Sequence, residues 1–307
     1  MEYLADAFPV QSLTLSHGPV GYRQSGDGFP LVLLHGWGTS SRCWQQTLAH
    51  LADTSHLYAL DLPGYGESPP LPVKSGGERL ADLVIEFADA VGAERFDLNA
   101  HSFGASVAAY VASRWPERVR RLVLTCFSTF QNEFERRMVE QMLGQMGISV
   151  ALWQPWMSLW HPWMGLWQSW MTLWRPQFPG YVPSIYQTMA WRFFYTIPSH
   201  ENEAILREGF SDFLRMDPRT SLESIFNALT PTVNDALREI TTPTLLVGAC
   251  QDMIMPPYGV AVVEQLVPDC RLVWIDQCGH VPMLEKPDQY HQLVRAFLQG
   301  TDKPEQA

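Results

Sequence analysis

The chain has 307 residues and a formal net charge of -11. That length fits one large domain with an insertion, or two ordinary domains. The acidity excludes binding through nucleic-acid phosphate, because no basic cluster offsets it. Hydrophobic residues make up 46% and charged residues 17%, which excludes a disordered chain.

The chain opens with MEYLADAFPV, which lacks the basic and apolar regions of a signal peptide. VQSLTLS and VGYRQSG then read as a hairpin at a sheet edge. PLVLL (30–34) is a buried strand that runs into His35-Gly36. SHLYALD (55–61), FDLNA (96–100), RLVLTCF (121–127), PTLLVGA (243–249) and RLVWID (271–276) are similar runs. Helical patterns lie between them: SRCWQQTLAHLA (41–52), ERLADLVIEFADAVGA (78–93), SVAAYVASRW (106–115) and QYHQLVRAFLQ (289–299). Strands alternating with helices predict an α/β fold, a mostly parallel sheet with helices on both faces. The alternation stops after Phe127. Helical patterns at NEFERRMVEQML, a Trp repeat, PSIYQTMAWRFFYTI and ENEAILREGFSDFLRM fill the gap. The expected organisation is a core of 1–127 and 230–300, an inserted helical lid of 128–229, and a frayed tail of 301–307. The five Cys (Cys43, Cys126, Cys250, Cys270, Cys278) show no metal-ligand spacing. They are expected to be free, small buried hydrophobes in a reducing compartment, with the chain cytoplasmic or membrane-peripheral.

NAHSFGAS places Ser102 between a strand end and a helix start, flanked by the small residues Ala100 and Gly104. A strand-turn-helix elbow needs small neighbours because its backbone is strained and other chains pass close by. A serine nucleophile needs a base, and DQCGHVPMLEKP puts His280 just past the last strand. The base needs an orienting carboxylate. GACQDMIMPP puts Asp252 past the preceding strand, and Asp276 is its one nearby rival. All three candidates lie beyond the C-terminal ends of strands, where open α/β sheets form crevices. Their order, Ser then Asp then His, suits a nucleophile elbow. HGWG (35–38) follows the first parallel strand, so the N–H groups of Trp37 and Phe103 are the expected oxyanion hole. Trp37, Phe103 and Val281 are also expected to touch substrate. Asp61 and Ser68 read as a structural turn, and Glu285 as an anchor for the loop behind His280.

The stretches HGWG, DLPGYGES (61–68), AHSFGA (100–105), GACQDMIMP (248–256) and CGHVPMLEKP (278–287) together resemble the α/β-hydrolase superfamily in its lidded serine-hydrolase branch. The HGWG loop is similar to that of pimeloyl-carrier-protein methyl ester esterases. The resemblance implies a lipase-like serine esterase acting on a small-molecule ester of an apolar acyl chain, with no metal and no organic cofactor. Ser102 would attack the carbonyl, His280 would take its proton, and Asp252 would hold the imidazole. Ala100 stands where the family usually has Gly, and is small enough for the elbow to survive. Val281-Pro282 follows the base, where carbon–carbon bond hydrolases of the family usually carry Trp. A thioesterase, a lactonase, a C–C hydrolase, an acyltransferase and a slow-turnover ligand receptor stay open, because a triad does not separate them.

LWQPWMSLWHPWMGLWQSWMTLWRP (152–176) nearly repeats every seven residues and holds seven of the chain's 12 Trp. At roughly 100° per residue, the Leu, both Trp and the Met of each repeat share an arc of about 140°. Pro155, Pro162 and Pro176 lie on the other side and predict kinked or consecutive short helices. No Asp, Glu, Lys or Arg falls between Glu140 and Arg175. Three readings follow: a lid face buried on its own core and lining the acyl pocket, a peripheral lipid contact through 152–174, or self-association through the same face.

Overall fold

The computed structural model describes residues 7–138, 193–196, 203–228 and 230–301, together with 140–141, 144–145, 148, 152–153, 156–160 and 163. Eight strands form one sheet in the order β1-β2-β4-β3-β5-β6-β7-β8. β1 (Gln11–Leu15) and β2 (Gly18–Ser25) form the expected edge hairpin. β2 lies antiparallel to β4 (Ser55–Leu60). From β4 onward every pairing is parallel, through β3 (Phe29–Leu34), β5 (Phe96–His101), β6 (Val119–Thr125), β7 (Thr244–Ala249) and β8 (Cys270–Ile275). All six apolar runs expected to be strands are strands.

Both faces of this sheet are covered, so its strands can be apolar throughout. Along β3, Leu31 and Leu33 join one core cluster while Val32 and Leu34 join the other. That is the two-residue period of a strand seen from both sides. One face packs against α2 (Gly77–Ala90) and α3 (Phe103–Arg114), with α6 (Pro231–Glu239) and α7 (Pro257–Leu266) beside them. α1 (Gln45–Leu51), α4 (Glu203–Arg215) and α9 (Pro287–Gln299) cover the other. The periodicity of α2 places Leu80, Leu83, Val84 and Phe87 inward. α3 is buried on nearly every side, and its Ala-rich sequence lets it sit close to the sheet and α2.

The chain passes from β3 to β4 on one side, then crosses back over β3 to build β5 on the other. The loops after β3 and β5 therefore diverge and leave a crevice at the strands' C-terminal ends. HGWG and Ser102 are the two loops in question.

Between β6 and β7 lies the insertion, and its described parts include α4, α5 (Pro218–Ala228) and the helical residues 133–138 and 156–160. α6 and α7 are not among the expected elements. The expected helix over PSIYQTMAWRFFYTI fails at its described end, because 193–196 are turn and bend. The backbone N–H groups of Tyr195 and Thr196 bond to a distant carboxylate instead of a preceding helical carbonyl. Cys250 is a second departure. It is exposed, whereas Cys126 and Cys278 are buried as expected and all five are free.

The Trp repeat is helical where it is described, but it does not bury its aromatic face. Leu152, Trp153, Trp156, Leu159, Trp160 and Trp163 are 61–68% exposed. Met157 alone of the described apolar positions packs against a core cluster. The reading of this face as a core-packed lining fails for those six residues. Pro155, Pro162 and Pro176, with the kinks expected there, lie outside the described residues. Among the described residues, no helix is long and apolar enough to cross a membrane.

Leu33 is wholly buried at the centre of the sheet. Leu33→Ala should cost about 3 kcal/mol in chemical denaturation, as transfer and cavity terms add. A loss under about 1 kcal/mol would show that this face is loosely packed.

Candidate active site

Ser102 stands between the last residue of β5 and the first of α3. Its φ of 52° and ψ of -118° are the left-handed, strained conformation of an elbow. Such a conformer costs about 1–3 kcal/mol and persists only when its surroundings hold it. The Ser102 N–H donates to the Thr125 carbonyl at 2.9 Å. A Cβ on Gly104 would lie 2.5 Å from the His35 carbonyl oxygen, so only Gly lets α3 start this close to β3. Ala100 is fully buried in β5, and the turn forms with Ala there. Ser102 makes no side-chain capping bond to α3, which removes the simplest structural role for it.

Its hydroxyl instead faces His280. Ser102 Oγ and His280 Nε2 are 3.0 Å apart, and His280 Nδ1 lies 2.7 Å from Asp252 Oδ2. All three side chains are buried. The second oxygen of Asp252 accepts the N–H groups of Ile254 at 2.8 Å and Met255 at 2.9 Å. Burial pushes the Asp252 carboxyl up. The charge and hydrogen bond of His280, with those two N–H groups, outweigh it and hold the acid below its ordinary range. An ionised carboxylate there fixes the Nδ1–H tautomer of His280 and leaves Nε2 free to accept from Ser102.

Two histidines that were not expected to matter frame this group. His101 donates from Nε2 to the His280 carbonyl at 2.7 Å, and the two rings are 4.7 Å apart. Burial, and then the neighbouring His280, press its pKa down to about 3. It is thus a neutral brace against the His280 backbone. His35 accepts the Leu62 N–H on Nε2 at 3.0 Å and donates from Nδ1 to the Gly36 carbonyl at 2.8 Å. It ties the HGWG loop to the loop after β4. Both signals sit inside the motifs, as the His of HGWG and the His before Ser102.

The HGWG loop touches the elbow. A Cβ on Gly36 would lie 2.7 Å from His101 Nδ1 and 3.1 Å from Ser102 Cβ. Trp37 follows Gly36 directly in the chain, and Phe103 is the first residue of α3. The insertion holds the loop from outside. The Trp37 indole donates to the Ser221 carbonyl at 3.1 Å and meets Phe213 edge-on at 5.7 Å. Ser40 Oγ donates to Asp212 at 2.5 Å. Burial raises Asp212 to about 6 despite that bond.

The other expectations sort cleanly. Asp61 accepts the N–H groups of Ser41 at 2.7 Å and Glu67 at 3.0 Å, while Ser68 Oγ donates to the Asp61 carbonyl. That is the structural turn. Asp276 is exposed and accepts from Gln251, away from His280. Val281 is half-buried, packs against the core and precedes α8 (Pro282–Glu285). Glu285 accepts the Gly279 N–H at 2.9 Å, which is the expected anchor.

The profile of the Alpha/beta hydrolase family matches residues 31–293. The chain belongs to that family. It is 27% identical to the 2-hydroxymuconate semialdehyde hydrolase of Pseudomonas putida, with 92% of each chain covered. It is 28% identical to the pimeloyl-acyl-carrier-protein methyl ester esterase of Nitrosomonas europaea, over 87% of this chain and 94% of that one. A solved bacterial membrane phospholipase A matches with a TM-score of 0.73 at 24% identity, over 96% of this chain and 87% of that one. At that identity the likeness speaks for the fold. The curated relatives are hydrolases, and this chain is an alpha/beta hydrolase.

Among the described residues, one cluster brings metal-ligand atoms together. The ligand atoms of Cys126, Asp252 and His280 lie within 4.8 Å of one another. Burial, and then the Asp252 charge, push the Cys126 thiol well above its ordinary range. A protonated thiol is a poor ligand, and Asp252 and His280 already engage each other. The donor set does not fit a resident ion.

Asp252 yields a pH prediction. Its folded pKa is depressed, so its contribution is whole above the unfolded value of about 3.9 and is lost as pH falls through the folded one. Asp252→Asn should therefore melt lower than wild type at pH 7, and the gap should narrow as pH drops from about 5 to 3. A constant gap in melting temperature would argue against this.

Proposed function

We propose that the chain is a serine hydrolase that cleaves carboxylic esters of apolar acyl substrates through an acyl-enzyme. The observation that carries this reading is the buried relay from Ser102 Oγ to His280 at 3.0 Å and on to Asp252 at 2.7 Å. Ser102 attacks the ester carbonyl as His280 Nε2 takes its proton. Asp252 stabilises the imidazolium. The N–H groups of Trp37 and Phe103 receive the developing oxyanion. His280 then protonates the leaving alcohol and later activates the water that releases the acid. No step calls for a metal or organic cofactor.

Apolar side chains around the relay support an apolar acyl group. Trp37 packs on Phe213, Phe213 stacks on Phe210, and the Phe193 ring lies 6.4 Å from that of His280. We read 128–229 as a cap over the site, with 1–127 and 230–300 as the two parts of the core. The bonds that Ser40 donates to Asp212 and Trp37 donates to Ser221 support that division.

The comparable likeness to a semialdehyde hydrolase favours a second reading, in which the same serine opens a different bond. Wild type is expected to turn over p-nitrophenyl esters, longer acyl chains better than acetate, and Ser102→Ala to lose at least about 10⁴-fold in kcat/KM. Faster turnover of 2-hydroxymuconate semialdehyde than of any ester would establish the second reading. A Ser102→Ala protein that keeps its activity would sink both.

The Trp face extends the proposal to where substrate is met. Six exposed Leu and Trp side chains crowd a short helical stretch, and the run from 141 to 174 carries no formal charge. Trp favours the lipid–water interface. We read this face as a seat on a lipid surface that rests on apolar contact, without attraction to anionic headgroups. Wild type should float with phosphatidylcholine vesicles at high and low salt. Replacing Trp153, Trp156, Trp160 and Trp163 with Ser should cut the floated fraction at least about fivefold. Failure to float, with dimers in sedimentation that the same variant abolishes, would assign the face to self-association instead.

A further inference from the structure

Glu285 closes α8, five residues after His280, and its carboxylate has three donors from two places in the chain. Oε2 accepts the Gly279 N–H at 2.9 Å and the Tyr195 N–H at 3.1 Å. Oε1 accepts the Thr196 N–H at 2.6 Å. Gly279 belongs to the loop that carries His280. Tyr195 and Thr196 belong to the insertion, 90 and 89 residues upstream. A fourth bond runs beside these, from the His280 N–H to the Phe193 carbonyl at 2.7 Å.

The two segments also fit sterically. A Cβ on Gly279 would lie 2.6 Å from the Phe193 oxygen and 2.7 Å from the Tyr195 nitrogen. Glycine is thus required for 193–196 to lie flat along the base loop. An anionic acceptor strengthens each N–H bond it receives. Without it, the N–H groups of the exposed Tyr195 and Thr196 would turn to water, and the tie from 193–196 to the His280 loop would be weakened.

We propose that Glu285 is a positioning residue that clips residues 193–196 of the insertion onto the His280 loop, so that the base is aligned only while the insertion is seated. This rests on the reading of His280 as the base. The backbone of His280 is held between two partners. His101 donates to its carbonyl from the sheet side, and Phe193 accepts its N–H from the insertion side. Glu285 keeps the second partner in place.

Glu285→Gln tests this, because it keeps shape and turns one accepting oxygen into a donor that faces an N–H. Hydrogen exchange is measured at Gly279, His280, Tyr195 and Thr196, alongside kcat and KM on a p-nitrophenyl ester, with active sites counted by a fluorophosphonate. The clip predicts exchange at least about tenfold faster at His280, Tyr195 and Thr196 together. It also predicts kcat per active site down about tenfold or more with KM within about threefold, the signature of a misplaced base. Thr196→Pro removes one donor from the insertion side, leaves 279–285 untouched, and should lower kcat in the same way. Faster exchange at Gly279 alone would reduce Glu285 to a local anchor and overturn the proposal. So would faster exchange at all four amides with kcat unchanged. A wild type inactive on every ester would count against the esterase reading, while the exchange measurement still decides whether the clip exists.

Discussion

The backbone at Ser102 is the constraint on which the site depends. An L-residue with φ of 52° turns the chain from β5 into α3 within one peptide. The conformation is held because everything nearby has been cleared or fastened. Gly36 and Gly104 leave the room that a Cβ would fill, and Thr125 takes the Ser102 N–H. The parallel pairing of β5 with β3 and β6 sets those three neighbours at the right height. The sheet is thus the reason a strained serine can persist.

Around that point, the polar groups are arranged so that few can change charge. His101 and His35 are pressed toward neutrality by burial, and the Cys126 thiol toward protonation. Asp252 goes the other way, because four interactions meet its carboxylate. His280 sits between these groups, its two ring nitrogens facing Asp252 and Ser102. The insertion acts on both sides of this arrangement. Helices α4 and α5 hold the HGWG loop, and 193–196 lie along the loop of His280.

Much of this was legible in the residue order. PLVLL, SHLYALD, FDLNA and the three later runs are apolar because both faces of a parallel sheet are covered, so a run of apolar residues with turn signals suffices to mark each strand. Ser102, Asp252 and His280 stood out because each follows such a run. α7 was harder. Its GVAVV stretch is rich in Val and has no polar stripe, and only its packing on β7 and β8 makes it a helix. His101 and His35 were in plain view within motifs, but their hydrogen bonds span 179 and 27 positions and have no local signature. The turn at 193–196 sits in a helical-looking aromatic run, and a carboxylate 89 residues further along the chain overrides that local preference.

The outward-facing Trp residues give the protein an uneven optical character. Trp44 is fully enclosed in the core and Trp37 is half-covered against Phe213, whereas Trp153, Trp156, Trp160 and Trp163 stand in solvent. Indole emission shifts and brightens with its surroundings, so these groups form distinguishable populations within one spectrum. The solvent-facing group is open to soluble quenchers and the core group is shielded from them. Among the described residues, a quencher titration of the native protein would therefore separate the four exposed indoles of the insertion from the enclosed Trp44.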